Sequence, residues 1–141
     1  MKAAVKVDEA KRFVIMDVPM PEPKPSEALV KIRTVGLCGT DVAIKNNTFM
    51  GRHGFVKMPM IPGHEFLGEV VAVGSQVKKV KVGDRVTSSA IRGCGQCYAC
   101  RTGILNRCRN WDHIGIDSPG CFAEYMCADQ DILFQVPDFV P

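Results

Sequence analysis

Four of the seven cysteines fall within fifteen residues, as Cys94-x2-Cys97-x2-Cys100-x7-Cys108, and that crowding constrains the fold more than any other feature of the chain. Thiolates three residues apart can turn around one small ion, and four of them complete a closed tetrahedral shell. An odd cysteine count and pairs only two residues apart favour metal thiolates in a reducing compartment over a disulfide framework. A [4Fe–4S] cluster competes, because C-x2-C-x2-C also opens bacterial ferredoxin motifs. Those close with C-x3-C-P, whereas here the fourth cysteine follows seven residues and precedes Arg109. Zinc is therefore expected, in a lobe spanning residues 92–112. A closed four-sulfur shell leaves no position for substrate, so this ion is expected to fold the lobe rather than do chemistry.

A second feature is Ile61-Pro62-Gly63-His64-Glu65-Phe66-Leu67-Gly68, which runs on to Gly74. It sets an imidazole and a carboxylate at the mouth of an apolar, β-branched run, just after a Pro-Gly turn. A turn of that kind holds His64 and Glu65 on a rigid element, which suits a metal site. A solvated polar pair at a strand end is the plainer alternative for these two residues taken alone.

The rest of the chain is punctuated by Gly and Pro. Residues 2–8 and 11–18 form a β-prone pair of segments with Val5, Val7, Val14 and Ile15 as core candidates, and Pro19 to Pro25 reads as an extended surface connection. From Glu27 a period-two pattern buries Ala28, Val30 and Ile32. Thr40-Asp41 reads as an N-cap opening a short helix, with Cys38 just before it, where the helix dipole favours a thiolate. Residues 46–60 read as a loop in which His53 is solvated. Gly83 to Thr87 is a tight turn into another strand, and two more strands follow around Cys121–Cys127 and Ile132–Pro137, with Cys121 and Cys127 as core thiols. Many short strands and almost no long helical pattern predict a mainly β chain, a barrel or sandwich.

Composition limits the partners. A net charge of +3 with pI near 8.5 falls short of the pI above about 9 of a nucleic-acid-binding domain. No apolar run approaches the ~20 residues of a membrane span. A second charge at Lys6 arrives before any signal-peptide core could form, so a cytoplasmic protein with no nucleic-acid or membrane partner is expected.

In order, Gly36-Leu37-Cys38-Gly39-Thr40-Asp41, Gly63-His64-Glu65-Phe66-Leu67-Gly68, Gly83-Asp84-Arg85-Val86, the four-cysteine lobe and Gly120-Cys121-Phe122-Ala123-Glu124-Tyr125 resemble the zinc-dependent medium-chain dehydrogenases, which include alcohol, polyol and threonine dehydrogenases. The resemblance covers essentially the whole chain. It implies a GroES-like β-barrel catalytic domain with short helices over residues 1–141. It also implies a Rossmann domain binding NAD or NADP, which this chain lacks, and a homo-oligomeric full-length enzyme that oxidises a small alcohol to a carbonyl. Cys38 and His64 then become ligands of a catalytic zinc, with Glu65 able to enter or leave the shell. Thr40 takes the position that hydrogen-bonds the substrate oxygen and starts a proton relay. Cys94, Cys97, Cys100 and Cys108 match the structural zinc ligands. The relay histidine that relatives carry shortly after this segment is replaced by Val42-Ala43-Ile44, and no Gly-x-Gly-x-x-Gly occurs. The expectation is the catalytic domain of a longer enzyme, inactive alone, against the alternative of a stand-alone structural zinc module.

Overall fold

A computed structural model describes residues 1–51 and 54–140; the expectation for His53 lies outside the described residues. In chain order the strands are β1 (Lys2–Val5), β2 (Val14–Asp17), β3 (Glu27–Val35), β4 (Met50–Gly51), β5 (Gly54–Phe55), β6 (Phe66–Val73), β7 (Arg85–Ser88), β8 (Ile91–Arg92), β9 (Asp112–His113), β10 (Tyr125–Asp129) and β11 (Leu133–Gln135). Two short helices interrupt them, α1 (Gly39–Lys45) and α2 (Tyr98–Arg101). None of the helices is long and apolar enough to cross a membrane, among the described residues.

The principal element is a five-stranded antiparallel sheet in the order β10-β3-β6-β7-β11. Its inner face follows from the alternation along β3 and β6. Ala28 and Val30 face inward, Val30 pairs with Val70, and Gly68 pairs with Val86. Val30, Val70 and Val86 are wholly buried, and each such side chain contributes roughly 1.5–3 kcal/mol. Register shifts at Leu29/Val30 and Ile32/Thr34 mark bulges, which bend a strand and increase its twist. The β1–β2 hairpin is tied to the strand leading into β10 by Ala4 N–H donating to Phe122 O at 2.7 Å and by the Ala3–Ala123 bridge.

Four local expectations change. Ile15 is 69 % exposed, because the outer face of the small hairpin has no layer packed on it. Lys6, rather than Val7, is the buried neighbour of Val5, at 1 % exposure. Its ammonium is satisfied by the carbonyls of Ala10 and Lys45, at 2.5 and 3.1 Å, the second of them at the negative end of α1. The loop 46–60 contains the small β4–β5 ladder. Cys121 is fully buried, whereas Cys127 is only partly so.

Candidate metal centre

In the cysteine lobe, Cys97 caps α2, which carries Cys100 in its single turn, and Cys108 follows a 3-10 turn at Leu105–Arg107. The four sulfurs lie within 4.8 Å of one another. The Cys97–Cys100 separation is 3.6 Å and the Cys94–Cys100 separation 3.9 Å. Zinc–sulfur bonds of 2.3 Å at tetrahedral angles put sulfurs about 3.8 Å apart, so the donor set and its spacing fit zinc. Backbone N–H groups of Cys94 and Asn110 each donate to the Cys108 sulfur at 3.3 Å. The Cys94 thiol is pulled down to about 6 by the N–H groups of Gln96 and Cys97. Cys100, desolvated and beside the other sulfurs, is pushed up to about 12. Such a cluster cannot hold four thiolates without a cation among them.

A second group forms where three elements meet. Cys38 caps α1 in an extended conformation (φ −88°, ψ 155°), so the helix opens two residues earlier than the Thr40-Asp41 expectation. Asp41 becomes the third helical residue, and its Oδ2 accepts the Cys38 N–H at 2.9 Å. A carboxylate there completes a reciprocal cap and fixes the Cys38 backbone. Thr40 is partly buried in the first turn.

His64 is placed by the turn before it. Gly63 takes φ +90°, a Cβ there would overlap the Phe122 ring, and Cys121 Sγ would stand only 2.9 Å away. Three hydrogen bonds clamp residues 61–63 to residues 120–122: Gly120 N–H to Ile61 O (2.7 Å), Phe122 N–H to Pro62 O (3.0 Å) and Cys121 N–H to Gly63 O (3.0 Å). Glu65 follows, its carbonyl accepting the Gly36 N–H at 2.9 Å. Its Oε2 sits 2.5 Å from where a Gly36 Cβ would stand.

The structure thus brings donor atoms of Cys38, His64 and Glu65 within 4.8 Å of one another. Among the described residues this second set holds three donors, one soft sulfur, one imidazole and one carboxylate, which is the composition of an open zinc site. Two polar atoms here are buried without a hydrogen-bond partner among the described residues: His64 Nδ1 and Asp41 Oδ1. Leaving such an atom unpaired costs about 1–3 kcal/mol, so a donor and an acceptor remain available to an occupied site. An open cleft of about 700 Å³ adjoins the group, lined by Gly36, His64, Glu65, Thr87, Ser88 and Ala90 among others.

Two residues given no functional role in the sequence reading stand here. Asp41 is one. The other is His113, whose ring centroid lies 5.3 Å from that of His64 and 5.6 Å from that of Trp111. Burial, and then the neighbouring His64, hold the His113 imidazole below its usual value.

Residues 24–138 match the alcohol dehydrogenase GroES-like domain; the chain belongs to that family. L-threonine 3-dehydrogenase of Cronobacter sakazakii is 42% identical over 138 residues, covering 98% of this chain and 40% of that relative. The structure of galactitol-1-phosphate dehydrogenase from Escherichia coli superposes with a TM-score of 0.87 at 34% identity, covering 100% of this chain and 39% of that one. The cobalt- and zinc-bound thermostable alcohol dehydrogenase from Pyrobaculum aerophilum gives 0.86 at 28% identity, with 96% and 41% covered. The chain therefore spans about 40% of the length of the relatives it matches.

Proposed function

We propose that residues 1–141 form the catalytic domain of a zinc-dependent alcohol or polyol dehydrogenase, which oxidises a small alcohol to a carbonyl with NAD or NADP bound by a separate Rossmann domain. The observation that carries this reading is the convergence of Cys38, His64 and Glu65 beside an open cleft. When bound there, zinc supplies the Lewis acidity that makes an alcohol proton removable near neutral pH.

The chain's own residues do the rest. The Cys38 sulfur and a His64 ring nitrogen would hold the ion, with the exposed Glu65 carboxylate within reach as a further donor. Asp41 Oδ1 and His64 Nδ1 are both buried without a hydrogen-bond partner among the described residues, and a hydrogen bond to the ring nitrogen that does not hold the ion would fix the tautomer and angle of the ring. The Thr40 hydroxyl hydrogen-bonds the substrate oxygen and takes the first step of proton removal. Cys94, Cys97, Cys100 and Cys108 hold a structural zinc in the lobe of residues 92–112. The same reading makes the complete enzyme a cytoplasmic homo-oligomer.

Metal analysis and turnover test this together. In the complete enzyme, Cys38→Ser is expected to lower alcohol oxidation by more than the 10–100-fold typical of outer-shell changes, while the lobe keeps its zinc. Residues 1–141 alone are expected to show no nicotinamide-dependent oxidation. Full activity in Cys38→Ser, or turnover by the isolated residues, would overturn the assignment.

A further inference from the structure

Lys6 is the largest of the fully buried side chains, and among the described residues its ammonium belongs to no ion pair. Its backbone is fixed by a two-way exchange with Met60, N–H to carbonyl at 2.7 and 2.9 Å. The ammonium donates to the carbonyls of Ala10 and Lys45. It carries three donors, so one N–H has no partner among the described residues. A buried charge met only by neutral acceptors is costly until an opposite charge completes it. Lys6 also lines a cavity of about 260 Å³ whose apolar walls are Ile44, Phe49, Phe55, Val56 and Met58. Asn47 and Glu9 line it too, but the Asn47 amide is taken by the Glu9 carbonyl, and the exposed Glu9 carboxylate makes no ion pair with Lys6. The cavity shares no lining residue with the cleft beside His64 and Glu65.

We propose that this cavity is a second binding site, which takes a small carboxylate with an apolar tail: the carboxylate accepts the remaining N–H of Lys6, and the tail packs on Ile44, Phe49, Phe55 and Met58. Charge and shape select together. A neutral amide of the same length fills the walls but leaves the ammonium without a counter-charge, while acetate supplies the charge and leaves the walls empty. A phosphate dianion fits less well, because it needs several charged donors and the cavity offers one ammonium among five apolar side chains. The site stands apart from the dehydrogenase reading, which neither requires it nor fails with it.

Calorimetric titration of the complete enzyme with hexanoate, hexanamide and acetate tests this. Hexanoate is expected to bind at least about 10-fold more tightly than either of the others. Carboxylates also bind open zinc sites, so the titration is repeated in Cys38→Ser, where hexanoate affinity should stay within about 2-fold of wild type, as for independent sites. Lys6→Met keeps the apolar stem and removes the charge; it is expected to weaken hexanoate by roughly 10- to 100-fold and to leave hexanamide unchanged. Phe55→Ala, at an exposed position, tests the wall without disturbing the buried ammonium and should weaken hexanoate by roughly 3- to 10-fold. If Lys6→Met does not fold, the comparison of hexanoate with hexanamide decides the role of the charge and Phe55→Ala that of the wall. Equal affinity for hexanoate and hexanamide, loss of binding in Cys38→Ser, undiminished binding in Lys6→Met or Phe55→Ala, or no binding up to about 10 mM hexanoate overturns the proposal.

Discussion

Gly63 and Gly83 share nearly the same backbone conformation, φ +90° and +93°, but not the same surroundings. A Cβ at Gly83 meets nothing within 4 Å, while one at Gly63 falls into the Phe122 ring and against Cys121. Replacing each by alanine therefore separates two effects. An L-residue in the left-handed region costs about 1–2 kcal/mol, which is all that Gly83→Ala should lose. Gly63→Ala adds overpacking of about 1–3 kcal/mol, for a total of roughly 2–5 kcal/mol. With a urea m-value of about 2 kcal/mol per molar, the midpoint should fall by roughly 0.5–1 M in Gly83→Ala and about 1–2.5 M in Gly63→Ala. The second substitution also pushes apart the clamp between residues 61–63 and 120–122, so it should weaken metal binding by His64, read by cobalt titration, while Gly83→Ala leaves binding unchanged. Equal midpoints for the two variants, within about 0.5 kcal/mol, would refute the claim that Phe122 and Cys121 hold His64 in place.

The four-cysteine lobe should lose its zinc as a unit: Cys108→Ser, which also weakens the sulfur acceptor for Cys94 and Asn110 N–H, is expected to lower bound zinc by one per chain in metal analysis. Gly36→Ala should displace the Glu65 carboxylate, whose Oε2 would stand 2.5 Å from the new methyl; altered cobalt bands at the Cys38 site with unchanged lobe zinc would show it. Burial raises the Cys121 thiol to about 12 and the Cys127 thiol to about 11. Because the unfolded chain releases these protons first, near pH 8.5, stability should be unaffected below that pH and fall as pH rises from there towards about 11. Denaturation midpoints measured from pH 7 to 11 should decline more gently in Cys127→Ala, and an identical decline would contradict the assignment.

What was legible in the sequence was local or long. The cysteine lobe could be read because its donors sit within one or two turns of each other, so spacing alone implies convergence. The strands β3, β6 and β7 could be read because each buries one face and keeps the period that goes with it. Cys38 and His64 are twenty-six positions apart, and nothing in either segment says that the α1 cap and the Gly63 turn meet; only the order of motifs pointed there. Asp41 was visible as a capping residue, but its partner was misplaced, because a cysteine can occupy the N-cap when the third helical carboxylate satisfies its N–H. Lys6 was hidden for a similar reason: a lysine beside Val5 is expected in solvent unless carbonyls from elsewhere receive it, and one of its two acceptors, Lys45 O, is thirty-nine residues away. His113 lies in a two-residue strand after the lobe, with no period to read and a neighbour, His64, forty-nine residues earlier. In each of these cases a polar group takes up its role through a partner that only the tertiary fold supplies. The chemistry of the open site is therefore less legible than its scaffold, and the test at Gly36 bears on a partner rather than on a residue type.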